Sequence, residues 1–258
     1  MAQLNVLITG AAGTIGRCIA RVFATKKFNL LLVDKNEKSL DELQNQIRKT
    51  WNCGCQSFNC DLESEGDREH LIDMVTHLPG GLYCLINNAA FLGHSALEGW
   101  NCSFAMQSVK TWRRALEVNL TAPFHLAKGF SKILTETSGS NIINISSIYS
   151  QRGPDWNLYD GQNFSNPAAY GVSKAGLEQL TRYLATTLAP NVRVNSISLG
   201  GVLLHQPESF IKKYISGTPM KRMAVSSDIM GTIKLLAFAQ GSYITGQNII
   251  IDGGRSVI

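Results

Sequence analysis

Near its start the chain reads Leu4-Asn-Val-Leu-Ile8-Thr9-Gly10-Ala-Ala-Gly13-Thr14-Ile15-Gly16, followed by a helical pattern from Arg17 to Thr25. The apolar run Leu4–Ile8 predicts a short strand, the glycines a turn and the periodic residues a helix. In such an arrangement a loop without side-chain bulk lets a pyrophosphate approach backbone N–H groups at a helix N-terminus. The candidates for that contact are Gly10, Gly13, Thr14, Ile15 and Gly16. Asn29-Leu-Leu-Leu-Val33 reads as a second strand, and it ends in Asp34, about 20 residues beyond the glycines. A carboxylate there can accept hydrogen bonds from both hydroxyls of an adenosine ribose and would repel a 2′-phosphate. NAD is therefore expected over NADP, with Lys35 as the adjacent cation that could soften the repulsion.

Working outward, Glu37 to Lys49 is helical in pattern and heavily charged, which predicts a solvated outer face. Gln56–Cys60 reads as a third strand ending at Asp61-Leu62, placed to reach an adenine edge. A helix around Glu65 to His77 precedes a fourth strand, Leu82–Ile86, which runs into Asn87-Asn88-Ala89-Ala90. Short apolar strands separated by helices are the mark of a buried parallel sheet. Further on, Leu177, Leu180, Leu184 and Leu188 recur at helical spacing, Asn166 and Pro167 suit a helix start, and Pro190 ends the run. Tyr170 and Lys174 lie four apart, one turn apart on the same helix face. An ammonium held close to a phenol favours the phenolate and draws it from ~10 toward the range of a general acid/base.

Composition sets limits on the rest. With 44% hydrophobic and 17% charged residues, the 258-residue chain can bury a sizeable core, and no Pro- or Ser-rich linker divides it. The net charge of +5 is not concentrated in a basic run, which argues against nucleic-acid or polybasic membrane binding. No apolar run approaches ~18 residues, and Met1-Ala-Gln-Leu-Asn leads into a strand without a charged or signal-like leader, so a cytoplasmic protein is expected. The six cysteines are then expected as thiols; the Cys53, Cys55 and Cys60 cluster lacks zinc spacing, and no metal site is expected.

Taken together, these motifs resemble the short-chain dehydrogenase/reductase family from end to end. Besides the glycine turn, Asp34 and Tyr170-x-x-x-Lys174, the chain carries Asn87-Asn88-Ala89-Ala90, Glu117-Val-Asn119-Leu in a long helix, Asn144-Ile-Ser146-Ser147 at the end of a fifth strand, and Asp252-Gly-Gly254 near the C-terminus. The resemblance implies an α/β fold, a doubly wound Rossmann-type parallel sheet of seven strands in a single domain, assembled as a homodimer or homotetramer. It implies a hydride transfer between NAD(H) and a secondary alcohol or ketone. Tyr170 would be the general acid/base, and Lys174 would lower its pKa while holding the nicotinamide ribose. Ser147 would hold the substrate oxygen, with Ser146 the rival claimant, and Asn119 would keep a water that relays protons to Lys174. Asn88, Ala89, Ala90, Gly200, Gly201 and Val202 would contact the cofactor.

Departures from the family pattern qualify this. Thr14 stands where the shorter branch has Gly, and the Gly10, Gly13, Gly16 spacing is that of the extended branch, so an epimerase or dehydratase with bound NAD is the alternative, a non-catalytic nucleotide-binding module the next. Length, Asn87–Ala90 and Asp252–Gly254 fit the shorter branch. Leu199 replaces a usual Pro before Gly200. The separation of Ser147 and Tyr170 exceeds that of most relatives, so an insertion, residues 151–167, hangs over the site. Its Trp156 and Tyr159, with Arg152, Asp155, Asp160, Gln162 and Asn163, would suit a polyhydroxylated substrate, and it resembles dehydrogenases of flagellin or surface-glycan modification. That directs the substrate toward a sugar or sugar phosphate. After a sixth strand, Val192–Ile197, an irregular lid over 203–220 is expected, in which His205 and nearby Lys212, Lys213, Lys221 and Arg222 could meet a phosphate or carboxylate. A helix, Ser226–Ala239, and a seventh strand, Asn248–Ile251, close the chain.

Overall fold

The computed structural model describes residues 3–93, 97–162 and 164–258. The strands are β1 (Asn5–Thr9), β2 (Asn29–Asp34), β3 (Cys55–Asn59), β4 (Leu82–Asn87), β5 (Asn141–Ser147), β6 (Arg193–Leu199) and β7 (Asn248–Ile251). Between them run the helices α1 (Thr14–Ala24), α2 (Glu37–Trp51), α3 (Glu65–Thr76), α4 (Val109–Leu116), α5 (Ala122–Gly129), α6 (Ser131–Thr135), α7 (Ala168–Thr187), α8 (Glu208–Ser216) and α9 (Ser227–Ala237).

All seven strands pair in parallel in one sheet ordered β3-β2-β1-β4-β5-β6-β7. Successive residues of a strand face opposite sides of a sheet. Val6, Ile8, Leu30 and Leu32 accordingly enter one core layer with Ile19, Phe23 and Leu43 of α1 and α2, while Leu7, Leu31 and Val33 enter the other with Leu71, Leu126 and Leu184 of α3, α5 and α7. Both faces are covered, which is why the strands read as unbroken apolar runs rather than alternating ones. Each such side chain removed from water contributes about 1.5–3 kcal/mol.

The chain reverses direction across the sheet between β1 and β4, and a crevice opens there beyond the carboxyl ends of the strands. Two local departures from the expected elements shape it. The helix expected to carry Asn119 is interrupted: Glu117–Thr121 is a π turn in which the Ala122 N–H donates to the Glu117 carbonyl. The lid segment is not irregular throughout, because Glu208–Ser216 forms α8. Its Phe210 and Tyr214 pack with Leu158, Tyr159 and Phe164 of the insertion and with Met223, a small core absent from the sequence expectation.

Candidate active site

At the end of β1 the chain turns at Gly10 with φ +61, where a Cβ would also lie 2.8 Å from the Ala89 Cα. A Cβ at Gly16 would meet the Gly10 carbonyl at 2.2 Å, so this glycine lets α1 pack on the turn. Gly13 differs. Its Cβ would meet only the Gly10 carbonyl, at 3.4 Å, so the protein itself does not demand a glycine there. The free space lies above the start of α1, whose N-cap, Gly13, supplies no side-chain cap and whose first turn carries no acidic residue. The N–H groups of a first helical turn have no partner within the helix, and Gly13, Thr14, Ile15 and Gly16 all line the cleft. This is a cradle for a phosphate group.

On one side of the cradle Asp34 holds the turn: its Oδ2 accepts from the Ala12 N–H at 3.0 Å and its Oδ1 from the Asn36 N–H at 3.1 Å. A carboxylate has about four lone-pair sites, so acceptors remain for ribose hydroxyls. Lys35, Asp61 and Leu62 line the same end. On the other side, Asn88 Nδ2 donates to the Thr9 and Gly10 carbonyls at 3.0 Å, and Thr9 Oγ1 accepts from the Asn88 and Ala89 N–H groups at 3.0 and 3.1 Å. Thr9, which the motif reading passed over, joins β1 to the Asn88–Ala90 segment that walls the cleft. These features fit an adenine dinucleotide laid across the strand ends.

Ser147, Tyr170 and Lys174 converge farther along. Ser147 ends β5, is buried, and its Oγ accepts from the Tyr149 N–H at 3.3 Å. Lys174 is 2% exposed and donates to the Ile145 carbonyl at 2.8 Å. Burial lowers its pKa to about 8. The Tyr170 phenol is raised by burial, against which the neighbouring Ser147 hydroxyl pulls downward. The four-residue spacing predicts a phenol lowered by the ammonium; in this structure burial is the largest influence on the phenol and acts in the opposite direction. Lys174 Nζ is turned to a strand carbonyl, 6.0 Å from the Tyr170 ring centroid, and desolvation dominates both groups. Asn119, fully buried in the π turn, accepts from the Phe91 N–H at 2.6 Å and donates to Ser173 Oγ at 3.0 Å. Its side chain thus ties the π turn to α7 at the residue before Lys174. Ser146 also lines the cleft, but its hydroxyl is engaged with the Lys174 carbonyl and Glu178.

At the nicotinamide end, Gly200, Gly201 and Val202 line the cleft. Two of the backbone donors expected there are already taken: the Gly200 N–H donates to the Ile251 carbonyl at 2.9 Å and the Gly201 N–H to the Tyr214 hydroxyl at 2.6 Å. The whole cleft encloses 590 Å³.

The substrate residues proposed from sequence fare unevenly. Tyr159 lines the cleft. Trp156 does not; it is 58% exposed and borders a neighbouring cavity, because its segment folds outward over α8. His205 is exposed and borders neither cavity. The polar residues of the insertion are engaged within the protein, Arg152 with the Arg255 carbonyl, Asp155 with Arg255 at 3.0 Å, and Asp160 with Lys213. Asn163 lies outside the described residues. Lys212 pairs with Glu208 and Arg222 with Asp228, and Lys221 donates to the Ser216 carbonyl; none of them lines the cleft. Among the described residues no group of His, Cys, Asp and Glu is placed to hold a metal ion, and no helix is long and apolar enough to cross a membrane.

Comparison with known proteins identifies the family. A family model described as Enoyl-(Acyl carrier protein) reductase matches residues 10–256. The chain is 27% identical over 251 residues to the post-translational flagellin modification protein A of Campylobacter coli, covering 96% of each. It is 30% identical over 262 residues to trans-4-hydroxycyclohexanecarboxylate dehydrogenase of Sinomonas cyclohexanicum, covering 99% of this chain and 94% of the other. The solved structure of an NAD+-bound xylitol dehydrogenase superposes with a TM-score of 0.84 at 28% identity, covering 97% and 98%. The chain belongs to the short-chain dehydrogenase/reductase family, and it is an oxidoreductase.

Proposed function

We propose that the protein is an NAD-dependent dehydrogenase interconverting a secondary alcohol and a ketone, with Tyr170 as general acid/base and Ser147 and Lys174 as its partners. The observation that carries this reading is the convergence of the Tyr170 phenol, the Ser147 hydroxyl and the buried Lys174 at one end of a cleft whose other end is a glycine cradle. NAD bound there supplies the two-electron acceptor that takes the hydride from the carbinol carbon. Ser147 donates to the substrate oxygen and holds it against Tyr170. The phenolate takes the hydroxyl proton as the carbon–hydrogen bond breaks, and in the reverse direction the phenol returns it. Lys174, buried one helical turn from Tyr170, keeps an ammonium beside the reacting groups, its pKa lowered by burial to about 8. Asp34 supports NAD over NADP, since its carboxylate would sit against a 2′-phosphate.

The likeness to a xylitol dehydrogenase supports a hydroxylated, sugar-like substrate, and the likeness to a flagellin modification protein supports placing the reaction in the synthesis of a flagellin or surface-glycan modification. Exposed Val172 and Tyr183 on α7 and Phe124 on α5 support pairing with a second copy, as a homodimer or homotetramer, and the six free cysteines fit a reducing compartment such as the cytoplasm. Tyr170→Phe tests the chemistry: NADH binding should persist while alcohol-dependent NADH formation falls at least ~100-fold. Undiminished turnover in this variant would remove Tyr170 from the mechanism.

A further inference from the structure

The reacting end of the cleft carries a cluster that proton and hydride transfer do not require. Tyr149, just after β5, and Tyr159, from the insertion, share a hydrogen bond between hydroxyls at 2.8 Å, and the buried Asn166 amide donates to the Tyr159 oxygen at 3.3 Å. All three residues line the cleft with Tyr170. Burial foremost, then Tyr149 beside it, holds the Tyr159 phenol far above its usual range, so it stays a neutral hydroxyl that can donate and accept. Around this cluster the walls are Phe91, Phe164, Leu204, Phe210, Tyr214 and Met223.

The distribution of charge along the cleft is equally informative. Its acidic and basic linings, Asp34, Lys35, Asp61 and Glu63, come from the ends of β2 and β3 and the segments that follow them. Between β2 and β5 stand β1 and β4, so at about 4.8 Å per strand these charges lie roughly 14 Å or more from the reacting end. There, among the described residues, Lys174 is the one charged side chain lining the cleft.

We propose that the substrate is an uncharged ring alcohol carrying a second oxygen, with the reacting oxygen at Tyr170 and Ser147 and the second held by Tyr149, Tyr159 and Asn166. This rests on the dehydrogenase reading above and narrows it. A phosphate or carboxylate lodged among the aromatic walls would lose its water, and the one ammonium at this end, Lys174, is already held to the Ile145 carbonyl beside Tyr170. A ring offers apolar faces to aromatic side chains, and its second hydroxyl can both donate to and accept from the Tyr159 cluster. An analogue lacking that hydroxyl forfeits the pairing and is discriminated against.

The test is a substrate ladder on the purified full chain with NAD, followed by NADH absorbance. Its members are cyclohexanol, the cis and trans cyclohexane-1,2-, 1,3- and 1,4-diols, 4-hydroxycyclohexanecarboxylate, glucose and glucose 6-phosphate. The expected result is that the best neutral diol or sugar exceeds cyclohexanol and both anions by at least ~10-fold in kcat/KM. In Tyr159→Phe, the ratio of that substrate to cyclohexanol should fall at least ~5-fold. Should this variant not fold, the wild-type ladder and Asn166→Ala give the same reading. Preference for either anion, a best neutral substrate no better than cyclohexanol, or an unmoved ratio in the variant overturns the substrate assignment and leaves the dehydrogenase reading standing. NADH formation from none of the alcohols overturns both.

Discussion

Replacing Lys174 by Met should alter the pH dependence of stability in a calculable way. The ammonium is 2% exposed, and burial lowers its pKa from 10.5 to about 8. A lysine whose pKa falls on folding destabilises the protein while it is charged. The penalty is fully present below about 8 and is relieved as pH rises toward 10.5, because the unfolded chain then holds the proton that the folded chain has lost. At 1.36 kcal/mol per unit, the full difference amounts to about 3 kcal/mol, of which roughly 2.5 kcal/mol is recovered between pH 7 and pH 10. Met fills a similar volume without a charge, but it leaves the Ile145 carbonyl without its donor, at a cost of about 1–3 kcal/mol that does not vary with pH. Wild type and variant should therefore be similar in stability at pH 7, and the wild type should gain on the variant by roughly 2.5 kcal/mol at pH 10. Urea unfolding of both proteins at the two pH values measures this as a difference of differences, in which groups common to both cancel. A gap between the two proteins that stays constant from pH 7 to pH 10 would show that Lys174 is not desolvated in the folded chain and would refute the reasoning.

The glycine turn allows a paired test. Gly13→Ala should leave the urea midpoint within error and weaken NADH binding, read by fluorescence, by at least ~10-fold, since its methyl meets only the Gly10 carbonyl at 3.4 Å yet fills the cradle. Gly16→Ala should instead lose about 1–3 kcal/mol of stability, because its methyl would lie 2.2 Å from the Gly10 carbonyl. Asp34→Ala should raise Kd for NADH and lower it for NADPH in a titration of each. A wild type that already binds NADPH more tightly contradicts the NAD assignment. Arg68, 1% exposed and donating to the half-buried Glu117 at 2.6 Å and to the Leu62 carbonyl, should cost about 1–3 kcal/mol when replaced by Met, measured by urea unfolding.

How much of this was legible in the sequence depends on how local each feature is. The strands were readable because a sheet covered on both faces demands runs such as Leu30-Leu-Leu-Val33, and β7 appears with the bounds its apolar run predicts. The cradle was readable because its requirement, no side chain at Gly10, Gly13 and Gly16, is written at single positions. The helix α8 was not. Only Phe210 and Tyr214, one turn apart, are buried along it, and their partners Leu158 and Tyr159 come from a distant insertion. The π turn at Glu117–Thr121 has no residue that announces it. Lys174 shows the deeper limit. Its place one turn from Tyr170 follows from the helix period, but whether its ammonium turns to the phenol or to Ile145 depends on a carbonyl that β5 brings to it from 29 residues away. The same competition takes the Gly201 N–H for Tyr214 and the charges of the insertion for Arg255 and Lys213. Sequence motifs identify groups able to bind a ligand; tertiary contacts decide how much of their bonding capacity the protein has already used, and what remains, including the hydroxyl proton that the Tyr149–Tyr159 pair does not spend on itself, defines what the cleft can recognise.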